Sequence, residues 1–345
     1  MKKMIAFVLL AALAVTLLAG CAGTTVVIGN CTCPPGGHDN TPAPEGALKT
    51  GLAIVTSLSK SKDTCAEYDV TLVAVLVDDK GVIRDCIIDS IGTKVNFDAT
   101  GKITSDLTAE IKTKNELGDA YGMVQFGDAK YEWYKQAEAL AKFAVGKTVQ
   151  QLKDGAIDES GKAPAGSDLA STATIYLGGY VSAIEKAVGN AKHLGAETGD
   201  TLKLASLSSI SSSKDAGEKD GTAQLDCDVT ALTVRDGVIT SCYIDSLQAK
   251  VSFNATGKIT SDLTAAVKTK NELGKDYGMV AWGGAKFEWN KQAESFAAYI
   301  TGMTAAEVAG ISVSESTKPA DGTDLAASVT IAIGGFQALI AKALQ

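Results

Sequence analysis

Apolar and polar positions follow two rhythms along the chain, each of which occurs twice. Residues 223–234 and 238–244 are rich in β-branched and small apolar side chains, and Arg235-Asp236-Gly237 separates them. Asp-Gly between two such runs is a strong short-range signal for a β-hairpin, because both residues tolerate the positive φ of a tight turn. The same plan comes earlier in the chain, with Asp79-Lys80-Gly81 at the bend. A further strand-like piece is expected at residues 94–97 and again at 250–253. The rhythm then changes to the helical one. Trp133, Ala137, Leu140 and Ala141 fall on one face of a run that ends near Gly146, a residue suited to closing a helix. A last helix follows Gly178-Gly179, with Val181, Ile184, Ala187 and Val188 on one side. These elements predict an α+β fold, an antiparallel sheet with a few helices packed on it.

The recurrence is a duplication. Residues 96–118 and 252–274 align without a gap and differ only at Asn96/Ser252, Asp98/Asn254, Glu110/Ala266 and Ile111/Val267. The spacing between equivalent residues holds from Gly81/Gly237 through Trp133/Trp289 and Gln136/Gln292 to Gly179/Gly335. Two tandem domains are therefore expected, at residues 47–192 and 199–345, each with the same loop plan.

The N-terminus belongs to neither copy. Met1-Lys2-Lys3, an uncharged apolar run, and Leu18-Ala19-Gly20-Cys21 have the layout of a lipoprotein signal peptide, here residues 1–20. Cys21 is expected to become an acylated N-terminus that anchors the chain to the outer face of a bacterial cell membrane, with the bilayer as its first partner. Residues 21–46 contain Cys-Pro-Pro-Gly-Gly and read as a tether. Removing Lys2 and Lys3 leaves 30 of the 32 basic residues against 40 acidic ones, so the formal charge moves from -8 to -10. That balance, with no basic run in either copy, argues against nucleic acid as a partner.

Of the remaining cysteines only Cys86 and Cys242 occupy matching places, which favours free thiols over a duplicated disulfide framework. Cys31-Thr32-Cys33 and His38 lack the usual metal-ligand spacing and fall in the tether. Histidine-dependent hydrolysis is excluded as a duplicated activity, because the only histidines are His38 and His193. Acidic pairs such as Glu132 and Glu138 are ordinary on solvated helices. Chemistry in this chain would thus come from a bound cofactor.

The final segment of each copy carries Asp168-Leu169-Ala170-Ser171-Thr172-Ala173-Thr174 and Asp324-Leu325-Ala326-Ala327-Ser328-Val329-Thr330. These stretches resemble the Asp-x-x-Ser/Thr-Gly-Ala-Thr motif of the FMN-binding domain family, found in subunits of sodium-pumping respiratory complexes and in extracellular electron-transfer lipoproteins. Thr172 and Ser328 stand where that family has glycine, and copy two also carries Ala327 and Val329 in place of the family's Ser/Thr and Ala. Tyr180, Ala183, Ile184, Ala187 and Val188 fall where the family places the apolar face of the next helix.

The resemblance implies that Thr174 and Thr330 carry FMN through a phosphoester bond made by a flavin transferase. It implies an electron carrier more than a turnover enzyme, serving redox partner proteins or small electron acceptors. Asp168 and Asp324 are candidates for orienting the loop as N-caps, with Ser171 and Ser328 beside them. Tyr121, Tyr277, Trp133 and Trp289 are candidates for stacking on the flavin or walling its pocket, although a Trp that opens a helix more often packs in the core. The alternative is a ligand-binding or structural surface lipoprotein of the same fold without flavin.

Overall fold

The computed structural model describes residues 46–345, so Cys21, Cys31, Cys33 and His38 lie outside the described residues. The described residues form one compact unit. Copy one contributes β1 (Ala47–Ser57), β2 (Cys65–Val77) and β3 (Ile83–Asn96), then α1 (Lys114–Leu117), α2 (Met123–Gly127), α3 (Trp133–Ala144), α4 (Val149–Ala156), α5 (Asp168–Thr172) and α6 (Gly178–Gly189). After β4 (Lys192–Glu197), copy two repeats the plan with β5 (Thr201–Ser209), β6 (Gly221–Arg235), β7 (Val238–Phe253), α7 (Lys270–Leu273), α8 (Trp289–Ile300), α9 (Ala305–Ala309), α10 (Asp324–Ser328) and α11 (Gly334–Ala343). The fold is α+β, with two antiparallel sheets in the orders β3-β2-β1-β4 and β5-β6-β7.

The hairpin turn of copy two sits where the sequence puts it. Asp236 and Gly237 take φ of 51° and 79°, the pair of positive values that matches the right-handed twist of the flanking strands. The strand-like pieces at 94–97 and 250–253 are not separate. They continue β3 and β7 as single long strands, since nothing in residues 83–96 or 238–253 forces a turn. Residues 193–198, expected to be a connector, contain most of β4, which pairs antiparallel with β1 at Lys49↔His193 and Thr50↔Lys192.

Both faces of each sheet are covered, which is why the strands read as nearly unbroken apolar runs. In β2, Tyr68, Val70, Leu72, Ala74 and Leu76 point to one side and Val73, Val75 and Val77 to the other. The first set meets Leu225, Cys227, Val229 and Ala231 of β6 and Leu247, Ala249 and Val251 of β7 in one core shared by the two copies. The second set meets Trp133, Leu140, Leu152, Leu169 and Ile184 from the helices of copy one, and a matching core lies beneath the helices of copy two. The result is four layers: helices, sheet, sheet, helices.

The two copies face each other about a local two-fold axis. Phe97 and Phe253 are equivalent residues in contact with one another. Lys186 Nζ lies 2.8 Å from Glu272 Oε1, and the equivalent Lys342 pairs with the equivalent Glu116. Such reciprocity defines an isologous interface. At the axis the Asp98–Gly101 and Asn254–Gly257 turns cross so closely that a Cβ on Gly257 would strike the Asp98 carbonyl, and one on Gly101 would strike the backbone of Ala255. Both glycines also have φ near +70°.

Candidate functional site

α3 and α8 each begin with two polar side chains that tie down loops from elsewhere. Glu132, just before α3, is buried, and its carboxylate accepts from Met123 N at 2.8 Å and Val124 N at 2.9 Å. One helical turn later, Gln136 is completely buried. Its Oε1 accepts from Thr174 N (2.8 Å), Ile175 N (3.1 Å) and Thr174 Oγ1 (3.2 Å), while its Nε2 donates to the Tyr131 carbonyl at 2.8 Å. Copy two repeats each bond. Glu288 holds Met279 N and Val280 N, and Gln292 Oε1 holds Thr330 N (2.7 Å), Thr330 Oγ1 (3.1 Å) and Ile331 N (3.1 Å). A buried amide with all its strong bonds made fixes backbone geometry, because any slip leaves a polar group unpaired.

The bend held in this way is the segment after α5 and α10. Ala173 and Val329 point into the helix-side cores, and Thr174 and Thr330 are exposed to solvent. The N-caps of these two short helices are not Asp168 and Asp324. Ser167 takes the cap in copy one and accepts from Ala170 N at 3.2 Å; Thr323 takes it in copy two and accepts from Ala326 N at 3.4 Å. Both have the extended backbone that a cap needs, whereas the two aspartates are already the first helical residues, exposed, where their charge suits the helix dipole.

Ser171 and Ser328 do not open toward a ligand either. Their hydroxyls donate back to Asp168 O (2.6 Å) and Leu325 O (3.4 Å). Lys130 and Lys286 each place an ammonium 3.3 Å from a carbonyl near the end of the same helix, Ser171 O and Ala327 O. Thr172 and Ser328 close their helices without a positive φ, so nothing in the backbone at these two positions calls for glycine.

The aromatic candidates divide. Trp133 and Trp289 are core residues: Trp133 is 2% exposed and donates to Tyr180 Oη at 3.0 Å, and Trp289 packs edge-on against Phe336. They wall no open surface, because the apolar stripe that makes α3 and α8 amphipathic runs through them. Tyr121 is partly exposed and Tyr277 half-buried. Between Tyr121 and Trp133 lies the Lys114 ammonium, 5.0 Å from each ring, and Lys270 repeats this at 5.2 and 4.8 Å. Burial holds the Lys270 ammonium below its ordinary pKa. The structure therefore brings Thr174 to Gln136 and Thr330 to Gln292, and assigns the tryptophans to packing. Gln136 and Gln292 entered the sequence reading only as a matching pair of the repeat; the signal that could have found them is a polar residue on an apolar helical face.

Thiol chemistry has no place at these sites. Among the described residues Cys65, Cys86, Cys227 and Cys242 are free and buried, and desolvation pushes the Cys227 and Cys242 thiols up to about 12. Among the described residues no cluster of His, Cys, Asp and Glu suits a metal, and no helix is long and apolar enough to cross a membrane.

An open cleft of about 700 Å³ separates β4 and the end of α6 from β7 and α8. Asn290 and Ala298 line it where copy one has the larger Tyr134 and Lys142, and Asp245 lies at its edge. Asp245 and its equivalent Asp89 are buried carboxyls whose Oδ1 accepts two backbone N–H groups, from Ser246 and Asn271 and from Ser90 and Asn115. Desolvation outweighs those bonds and raises each to about 6.

Compared with known proteins, the chain has no matching family model, no matching curated relative and no matching solved structure.

Proposed function

We propose that this protein is a membrane-anchored, extracytoplasmic electron carrier that bears FMN esterified to Thr174 and Thr330. The observation that carries the reading is the duplicated bracket. In both copies a buried glutamine locks the backbone on the C-terminal side of a short helix, so that one threonine hydroxyl stands at an exposed, fixed bend. A transferase that moves FMN from a flavin dinucleotide onto the hydroxyl, breaking the phosphoanhydride bond and releasing a nucleoside monophosphate and the hydroxyl proton, needs such an accessible and ordered side chain.

The residues present fit the attachment. Thr174 Oγ1 or Thr330 Oγ1 would hold the phosphate, the glutamine would keep the bend, and the nearby Lys130 or Lys286 ammonium would offset phosphate charge. The flavin would supply one- and two-electron chemistry. A covalent link would keep it at its site outside the cell, where a dissociated cofactor is lost by dilution. Cys21 acylation would hold the carrier at the bilayer.

The test is the intact mass of the full chain, produced with a flavin transferase in an exporting host. Two FMN increments are expected, one lost in Thr174→Ala and the other in Thr330→Ala. An unmodified mass for the wild-type chain under those conditions overturns the reading.

A second reading, a ligand-binding lipoprotein, is favoured by the cleft beside Asp245, whose volume suits a small organic molecule. A colourless native protein with a non-flavin small molecule bound there would support it.

A further inference from the structure

Phe126 and Trp282 are equivalent residues, 80% and 82% exposed, the two most exposed large apolar side chains of the described chain. Val124 and Val280 beside them are also open. Their loops have diverged, with Gln125 against Ala281 and Asp128 against Gly284, yet both keep an aromatic ring at the tip. Copy one forms the short helix α2 there, and copy two forms only turns. The ring is nonetheless seated in the same way. One edge of Phe126 rests where a Cβ on Gly122 would be, and one edge of Trp282 rests likewise on Gly278. Those glycines have φ of 80° and 82°. The loop closes through Phe126 N to Gly122 O (2.9 Å) and Trp282 N to Gly278 O (3.0 Å). A large apolar ring held in place and left in water is unfavourable in isolation, and such features mark contact sites.

The position of these tips says what they contact. The loop is pinned by Glu132, the N-cap of α3, and the threonine bend by Gln136 in its first turn, whose N–H donates to the Glu132 carbonyl, so both anchors sit at the start of one helix. Glu288 and Gln292 do the same in copy two. The loop that bears the exposed ring and the bend that bears the exposed threonine are thus fixed to the same end of one helix, twice.

We propose that Phe126 and Trp282 are the platforms on which the isoalloxazine rings carried at Thr174 and Thr330 stack, a role that rests on the flavin attachment proposed above. A planar, electron-poor ring gains from offset stacking on an aromatic face. A ring on a flexible phosphate-linked chain loses less freedom when a preformed platform lies within reach.

The test uses chains that carry a single flavin. In the full-length Thr330→Ala protein, Phe126→Ala should shift the visible absorption band of the flavin and its reduction potential, while Trp282→Ala does neither. In Thr174→Ala the pattern should reverse. Phe126→Trp and Trp282→Phe should keep the band and the potential, and intact mass should show the flavin present in every variant. Attached flavin whose absorption and potential ignore both rings overturns the platform and leaves the attachment standing. A wild-type chain without flavin overturns both. Loss of binding to anionic phospholipid vesicles in Trp282→Ala, with flavin properties unchanged, would assign the rings to a lipid surface instead.

Discussion

Phe97 and Phe253 stack ring on ring, with centroids 3.7 Å apart and planes 11° from parallel. A residue that touches its own equivalent lies on the axis relating the two copies. Both rings belong to the one core between the sheets, and both are almost fully buried. Phe97→Ala or Phe253→Ala should each cost about 3–5 kcal/mol in urea unfolding. The double variant should cost less than the sum by about 1 kcal/mol, because each single change already breaks the shared stack. Strict additivity would show that the rings contribute independently.

The shared core also predicts how half of the chain behaves. Residues 199–345 produced alone would expose Leu225, Cys227, Val229, Leu247 and Val251, which the native fold covers with copy one. The excised half should associate into a two-fold dimer that restores a sheet-on-sheet interface, with Lys342 facing the position that Glu116 holds in the native chain. Light scattering should give twice the monomer mass. A stable, soluble monomer would mean that the inter-sheet core is dispensable.

Stability should depend on pH through Asp89 and Asp245. Each carboxyl titrates at about 6 when folded, against an ordinary 3.8, because of burial. Between pH 4 and 6 the folded chain keeps protons that the unfolded chain has released. Stability from this source is therefore greatest below pH 4, falls as pH rises through that window and is flat above it. Each group accounts for about 2–3 kcal/mol. The stability difference between wild type and Asp89→Asn should narrow or reverse across the window, as should that for Asp245→Asn, and a parallel pair of curves would disprove the shift.

Gln136→Leu and Gln292→Leu test the brackets. Each removes the acceptor for two backbone N–H groups and one hydroxyl, at a cost of about 1–3 kcal/mol. Amide exchange should accelerate at Thr174 and Ile175 in the first variant and at Thr330 and Ile331 in the second, with strand β2 or β6 unaffected. Flavin attachment should fall only in the copy altered.

The sequence made the fold class, the copy-two hairpin, α3 and α6 legible, because turn chemistry and helical periodicity are local signals. It concealed β1 and β5; in β1, Leu52 and Ile54 alternate with Gly51 and Ala53, which are also buried, and a strand covered on both faces has no polar side to reveal its period. The core role of the tryptophans was legible too, because Trp133 shares the apolar stripe of α3 with Ala137, Leu140 and Ala141. The role of Gln136 was missed, because the Thr174 amide it holds lies 38 residues away and only the fold brings the two together. The close match of residues 96–118 to 252–274 acquires a physical reason only in three dimensions. Part of that stretch crosses its own counterpart at the axis, so a change there must suit two environments at once.

The four-layer order has a last consequence. Thr174 and Thr330 belong to the two outermost layers, with both sheets between them. Whatever they carry, the molecule is double-ended. If both carry flavin as proposed, the two groups are separated by the whole sheet-on-sheet core, an arrangement that suits exchange with two separate partners and not relay between the copies.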